Sequence, residues 1–479
     1  MRSKEPIQTS GFARRLRITG PAVLALTLAT GQGIGLGRSI LVARLLGTEI
    51  QGEAMIIGLL TGFFASVFTF SAAWQLVHAK DLSPGLQHSL QGTAVIRGIL
   101  TSICFAIAGW VGLGLLDKTY LLPPLLLASL VPFIDGFQHL DAWKQLKANR
   151  FRSLAIVEFA SPVGSLIGAL VALSFTQTIW VVPIVAISGS MARLIVTHIV
   201  AKDPWKGHIR VEDVKPILKF GVPLIPAGLL SWLNSQGDKL LLMSSAEIPG
   251  VPTFSLADLG AYGTVAGMIV LPRGTIVKTM KATIVPKLSA LQGEPEKLKD
   301  TFRRLTCQVA NLIGWGILIG AAVGSDVFRL ILGPEFRLGT EVAPILILGM
   351  GLQTSRSLIY STALAVGRTT TQLAGNLGRL SGLVFAYIGA VNGFGLVSIA
   401  ISVPVGEAIA VLISIIWVEK AYGSGIRSFL GRMFGFSILA SAVMIATNTL
   451  PEWQLPIKIV VCLASVIFGA RAFFRLRRS

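Results

Sequence analysis

Residues Phe220 to Ser244 read FGVPLIPAGLLSWLNSQGDKLLLMS, an apolar run that carries Asn234, Gln236, Asp238 and Lys239 in its second half. Its length suits one helix crossing a hydrocarbon core of roughly 30 Å. A charge at mid-bilayer costs about 2.5 to 3.5 kcal/mol, and such residues face a protein interior or a wet cavity. The polar residues of this stretch therefore sit either at the far interface or on a functional face.

The rest of the chain has the same character. Of 479 residues, 53% are hydrophobic and 14% charged, and the mean hydropathy is +0.72, a balance foreign to water-soluble domains of this size. The chain reads as an integral membrane protein. A net charge of +19 raises nucleic acid as a partner, but Lys and Arg fall in short clusters between apolar runs. Cytoplasmic loops select that pattern. With no basic module or aromatic stacking platform, nucleic-acid binding is excluded. Cys104, Cys307 and Cys462 all lie in apolar runs, far apart and odd in number, so neither a disulfide framework nor a metal site is expected. The early charges Arg2, Lys4, Arg14, Arg15 and Arg17 precede an apolar region too long for a signal peptide, and no clear cleavage site closes it. An uncleaved first span is expected.

Windows of about 20 residues place six spans in the first half, near 18–38, 53–77, 92–116, 121–140, 153–174 and 178–199. Six more follow near 220–243, 258–280, 306–332, 342–366, 371–391 and 395–418, and two near 428–448 and 455–473. Alternate connections are basic: Lys144, Lys147, Arg150 and Arg152 follow the fourth span, Lys202 to Lys219 the sixth, Lys281 to Arg304 the eighth, and Arg475, Arg477 and Arg478 close the chain. The segment from Ser244 to Ala261 has no Lys or Arg. The positive-inside rule then puts both termini in the cytoplasm. The expected architecture is all-α, with about fourteen transmembrane helices: a six-helix lobe over 1–200, a linker over 201–219, a second six-helix lobe over 220–419 and two further helices over 420–479. Halves that both start inside form a parallel repeat. Pro21 and Arg38 in one half correspond to Pro223 and Lys239 in the other. In the linker, Val211, Val214, Ile217 and Leu218 at helical spacing among charges predict an amphipathic helix at the cytoplasmic interface.

Polar residues within spans fall on helical faces. Ser231, Asn234 and Asp238 form one stripe, Gln353, Arg356 and Tyr360 a second, and Gln372, Asn376 and Arg379 a third. Each stripe either makes helix-to-helix hydrogen bonds, worth about 0.6 kcal/mol apiece, or lines a common interior. Glu158 and Arg193, in the cytoplasmic third of spans five and six, read as a structural ion pair. Glu407 near mid-span twelve reads the same way, opposite Arg379 of span eleven. Arg273 stands between Pro272 and Gly274, where a helix loses a backbone bond and is expected to kink; a cation there suits an anionic ligand. Arg38 is open to two readings, snorkelling to the interface or ligand contact. Asp238 and Lys239 are consecutive, about 100° apart on a helix, and read as an ion-coupling or gate pair or as local pairing.

Enzyme signals are absent. His78, His88, His139, His198 and His208 lack ligand spacing, and Gly31, Gly33, Gly35 and Gly37 lie inside a span with no preceding strand. No catalytic residue, cofactor or bound nucleotide is expected.

The passages GRSILVARLLGTEIQGE after the first span, KFGVPLIPAGLLSWLNSQGDKLLL at the midpoint and LILGPEFRLGTEVAPILILG at Leu330 to Gly349 resemble the Wzx-like oligosaccharide flippases of polysaccharide biosynthesis. These belong to the multidrug/oligosaccharidyl-lipid/polysaccharide (MOP) exporter superfamily, and the resemblance covers nearly the whole chain. It implies a MATE-like pair of lobes around an alternately opening cavity. It also implies an undecaprenyl-diphosphate-linked oligosaccharide as substrate, moved across the bacterial inner membrane for export of exopolysaccharide, capsule or O-antigen. A polysaccharide polymerase and a chain-length regulator are the implied partners, besides membrane lipids. The residues supply the cations a diphosphate needs, Arg273, Arg356 and Arg38 with Arg379, and the hydrogen-bonding side chains Asn234, Gln353 and Asn376 for sugars. Alternatives are a peptidoglycan lipid-precursor flippase, a drug or cation antiporter of the same superfamily, and a membrane polysaccharide polymerase.

Overall fold

A chain that crosses a bilayer must satisfy its backbone polar groups within each segment. In the computed structural model the described residues accordingly form helices and no strand. The structure describes residues 20–68, 75–76, 84–148, 150–210, 212–213, 215, 217–218, 222, 224–289, 291, 293–365, 370–422 and 425–478.

The first helix, α1 (Gly20–Val67), has 48 residues and so would extend for about 70 Å at 1.5 Å per residue, twice the hydrocarbon thickness. It is broken at Gly47 (φ 72, ψ 178), a backbone conformation that glycine adopts at little steric cost. Spans one and two meet at that residue. Next comes α2 (Pro84–Leu115). The fourth span is two short helices, α3 (Leu122–Ala128) and α4 (Leu130–Gly136), because Pro132 has no N–H for the carbonyl of Ala128. A short α5 (Asp141–Lys147) leads to α6 (Arg152–Phe175) and α7 (Val181–Ile199).

The second half begins with α8 (Leu224–Met243), followed by α9 (Leu256–Ser289) and α10 (Pro295–Leu332). Helix α9 runs through Pro272 as one element, and helices of 34 and 38 residues overreach a bilayer. A short α11 (Arg337–Glu341) turns into α12 (Ala343–Ala365). The eleventh span is split into α13 (Thr370–Arg379) and α14 (Ser381–Val391). The chain ends in α15 (Gly395–Tyr422), α16 (Gly425–Thr449) and α17 (Gln454–Arg478).

Among the described residues, 9 helices are long and apolar enough to cross a membrane, or 10 if the bent pair Pro334–Glu341 and Ala343–Ser361, at 47°, is one span. This falls short of the expected fourteen for a physical reason. Helix α1 holds two expected spans but counts once, helices such as α8 and α13 carry the polar stripes that lower their hydropathy, and α14 is a fragment of a broken span.

Small residues set the helix spacing, as they do wherever transmembrane helices pack closely. On α6, Gly164 and Gly168 face Ala192 and Ser188 of α7, and a Cβ added at either would lie 2.3 or 2.4 Å from those side chains. One apolar cluster joins both halves of the chain, with Ala43, Ile56, Tyr262, Phe336 and Ala343 among its members. A second joins α10, α12, α15 and α16, with Leu288 of α9, around Phe302, Leu358 and Phe429. Trp110, Ile438 and Leu463 are exposed, as side chains facing lipid are. Of the expected linker helix, residues 201–210 are not helical while Glu212, Asp213, Lys215, Ile217 and Leu218 are, and Val211, Val214, Pro216 and Lys219 lie outside the described residues. Of its described residues, Ile217 packs with Leu76, Leu90 and Leu140.

Candidate functional site

Glu407 of α15 is wholly buried, and two guanidinium groups share it. Arg356 Nε donates to Oε2 at 2.6 Å and Nη2 to Oε1 at 3.3 Å, while Arg379 Nε lies 2.7 Å from Oε1. Arg356 Nη1 also donates to Asn376 Oδ1 at 2.9 Å and to the Tyr360 hydroxyl, and Asn234 Nδ2 donates to the Asn376 carbonyl at 2.8 Å. The three polar stripes of α8, α12 and α13 thus converge. Glycines permit the approach. A Cβ at Gly375 would lie 2.1 Å from the Tyr360 hydroxyl oxygen, and one at Gly406 would lie 2.6 Å from the Arg379 carbonyl.

Arg273 completes the group from α9. Its Nη2 reaches Ser357 Oγ at 3.4 Å, its buried Nε has no hydrogen-bond partner, and it lies within Coulombic reach of Glu407, Arg379 and Arg356. Three arginines thus surround one carboxylate. Buried charge without a partner is costly, so the surplus of two positive charges makes this region complementary to an anion. Gln353, one turn before Ser357, is also buried.

Asp238 and Lys239 form a pair of their own. Lys239 Nζ lies 3.3 Å from Asp238 Oδ1 and donates to the Ser235 carbonyl at 3.1 Å. Neighbours about 100° apart can meet in this way because the lysine stem is long enough to curl back. Asp238 Oδ2 accepts a 2.6 Å hydrogen bond from Tyr262, which is 0% exposed. Tyr262 and Ser357 are partners that sequence reasoning missed. Neither is charged, so neither carried a signal of misplaced polarity.

In the first half, Arg38 donates to Ser165 Oγ at 2.8 Å. It lines a cavity of about 430 Å³ with Gln51, Val182, Thr264 and Leu271, drawn from both halves of the chain. Among the described residues no hydrogen bond or ion pair joins it to the Glu407 cluster. Arg193 pairs with Glu158. Beside them Asp135 accepts from Gln138 Nε2 at 2.6 Å and from Ser190 Oγ, with Arg97 within Coulombic reach. Arg97 and Asp135 were also missed, although a charge inside a span was a signal available in each case. No group of three or more potential metal ligands occurs among the described residues.

The two halves also meet tightly around the break in α1. A Cβ at Gly52 would stand 2.0 Å from the Leu256 carbonyl oxygen, and one at Gly260 would stand 1.9 Å from that of Thr48. Arg44 donates to the carbonyls of Leu330 and Ile331, both at 2.5 Å. This end is closed.

The family model described as "polysaccharide biosynthesis protein" matches residues 41–337. Among solved structures, the chain is similar to the lipid II flippase MurJ in an inward closed conformation, with a TM-score of 0.70 and 15% identity over 94% of this chain and 98% of that one. It is also similar to an inward-facing multidrug resistance MATE family transporter of the MOP superfamily, with a TM-score of 0.61 and 14% identity over 85% of this chain and 98% of that one. A third likeness is to a mutant of the Vibrio cholerae MATE transporter VcmN, with a TM-score of 0.53 and 16% identity over 85% and 98% of the two chains. Identities this low show the fold alone. No curated protein sequence matches the chain.

Proposed function

The chain belongs to the polysaccharide biosynthesis protein family, and from that premise we propose that it is a flippase for undecaprenyl-diphosphate-linked oligosaccharide units, working by alternating access in the bacterial inner membrane. It is a multi-pass membrane protein with the fold of MOP-superfamily transporters. The observation that carries the substrate reading is the cationic surplus around Glu407, where Arg273 has a buried, unpartnered Nε.

In this reading residues 1–200 and 220–419 are two lobes around the transport path, 201–219 links them, and 420–479 adds two helices. Both termini are cytoplasmic, so the closed end at Gly47 and Gly260 is periplasmic. The diphosphate docks at Arg273, because Arg356 and Arg379 already hold Glu407 and act as the fixed positive wall behind it. Guanidinium geometry suits phosphate oxygens, and low polarity strengthens the attraction. Asn234, Gln353 and Asn376 meet sugar hydroxyls, and Arg38 gives a second anion contact further along the path. Asp238, held by Tyr262 and Lys239, is the site of ion coupling or gating. Polymerase and chain-length regulator act on the product after export.

A second reading, transport of a peptidoglycan lipid precursor, is favoured by the likeness to the lipid II flippase structure, and uses the same cations on the same diphosphate. A cation antiporter fits less well, since the buried charge here is net positive.

The test is complementation of a chromosomal deletion with Arg273→Ala. Surface polysaccharide is lost, lipid-linked units accumulate on the inner leaflet, and the amount of protein in the membrane is unchanged. Normal export by that variant overturns the site. Rescue of a strain lacking its lipid II flippase, without any effect on surface polysaccharide, selects the second reading.

A further inference from the structure

Away from the transport path, Arg304 of α10, Arg432 of α16 and Arg471 of α17 line one cavity of about 510 Å³. Helices α16 and α17 run in opposite directions. Arg432 near the start of one and Arg471 near the end of the other therefore lie at the same end of the molecule, as does Arg304 near the start of α10. No acidic residue lines the cavity, and among the described residues none of the three arginines is ion-paired. Arg432 Nη1 is held by Asn311 Oδ1 at 2.9 Å, and Arg471 lies 5.5 Å from the centre of the Phe468 ring.

The wall below is aromatic. Trp315 stacks on Phe468 with ring centroids 5.3 Å apart and 16° between planes, and meets Phe436 edge-on at 5.2 Å. Further along the same helices, α16 and α17 turn Ile438, Leu439, Leu463, Val466 and Ile467 outward, so an apolar surface fit for lipid tails adjoins the cavity. Fixed cations above a stacked aromatic surface, at the end of lipid-facing helices, match a phosphate diester whose acyl chains run down the protein side. Basic pockets between transmembrane helices on the cytoplasmic side take anionic headgroups in this manner.

We propose that the cavity between α10, α16 and α17 is a binding site for one anionic glycerophospholipid of the cytoplasmic leaflet, its phosphate held by Arg304, Arg432 and Arg471 and its glycerol end seated on Trp315 and Phe468. The lipid ties the two C-terminal helices to α10. The site shares no residue with the Glu407 cluster and stands whether or not the transported substrate is an oligosaccharide.

The test is native mass spectrometry of the full-length protein released from mixed micelles of phosphatidylglycerol and phosphatidylcholine with identical acyl chains. One phosphatidylglycerol is retained in preference to phosphatidylcholine. The double variant Arg432→Gln/Arg471→Gln weakens that retention at least tenfold, on the scale of about fivefold for each basic side chain removed near an anionic headgroup. Arg432→Lys keeps most of it. Arg432 and Arg471 are both exposed, so unfolding temperatures in a neutral detergent stay within a few degrees of wild type; should a variant misfold, the lipid preference of the wild type decides alone. Equal retention of the two lipids, retention insensitive to the double variant, or displacement by millimolar inorganic phosphate would each overturn the proposal, the last by marking a soluble-anion site.

Discussion

In the first half of the chain Glu158 takes one arginine, Arg193, and Asp135 takes Ser190 and Gln138 with Arg97 nearby. In the second half Glu407 is shared by Arg356 and Arg379 while Arg273 remains over. The burial differs too. The side chains of Arg193 and Glu158 are 29% and 24% exposed, against 5% and 0% for Arg356 and Glu407. Charge in the first region is thus matched and partly wetted, whereas in the second it is dry and unbalanced. A balanced pair stabilises helix packing and leaves no net charge to match, although Arg193 Nε, like that of Arg273, has no hydrogen-bond partner. An unbalanced dry cluster is complementary to an anion, which the proposed diphosphate would supply.

The comparison can be broken most severely at its shared carboxylate. Glu407→Ala leaves two buried guanidinium groups without a counter-charge, and removing one partner of a buried pair costs about 3 to 5 kcal/mol. The variant is expected to lose most of its folded protein, read by thermal unfolding of the detergent-purified chain; a wild-type midpoint would show that water, not Glu407, balances the arginines. Next in size is the contrast between Arg273→Ala and Arg193→Ala. The first lowers export at least about tenfold with little change in stability, as removal of a ligand contact does, while the second leaves export within about twofold. Equal losses would erase the distinction between the halves.

Glu158→Gln should cost only about 1 kcal/mol, because a partly exposed pair is screened by solvent; a midpoint fall as large as that of Glu407→Ala would contradict the ranking. The smallest effect is expected at His139, beyond the end of the span at Gly136. Its Nδ1 accepts the Asp141 N–H at 3.0 Å and its Nε2 faces the Asp203 carbonyl at 3.0 Å, so the fold holds the neutral ring. Burial lowers its pKa below the usual value of 6.5. The unfolded chain therefore binds the proton more readily, and the stability due to this group, present above about pH 6.5, declines as pH falls toward the lowered value. The unfolding midpoint should drop modestly between about pH 7 and pH 5.5, and His139→Asn should flatten that slope.

Much of this was legible in the chain because a bilayer leaves few choices: an apolar window of about 20 residues has one available structure, and each expected span has helix in it. The boundaries were less legible where charge and helix coexist. Helix α10 begins at Pro295, well before the apolar window near 306, since its basic first turns continue beyond the hydrocarbon. Within the site, helical spacing correctly grouped Gln353, Arg356 and Tyr360 on one face, but spacing says nothing of which helices meet. That Arg356 joins Arg379 on Glu407 depends on the glycines at 375 and 406, whose role appears only once the helices are laid together. Tyr262 stayed hidden because its partner, Asp238, lies on another helix.

The seam between Thr48, Gly52, Leu256 and Gly260 bears on how fast the molecule can work. Where helices interlock through large side chains, separating them requires several rotamers to change in concert, which adds friction to the motion. Here backbone rests on backbone at two glycines, so at those points the surfaces part along a smooth line with no knobs to withdraw. Replacing either glycine by alanine would force the helices apart. In the alternating-access cycle proposed above, the same smoothness that makes the closure tight would make it quick to release.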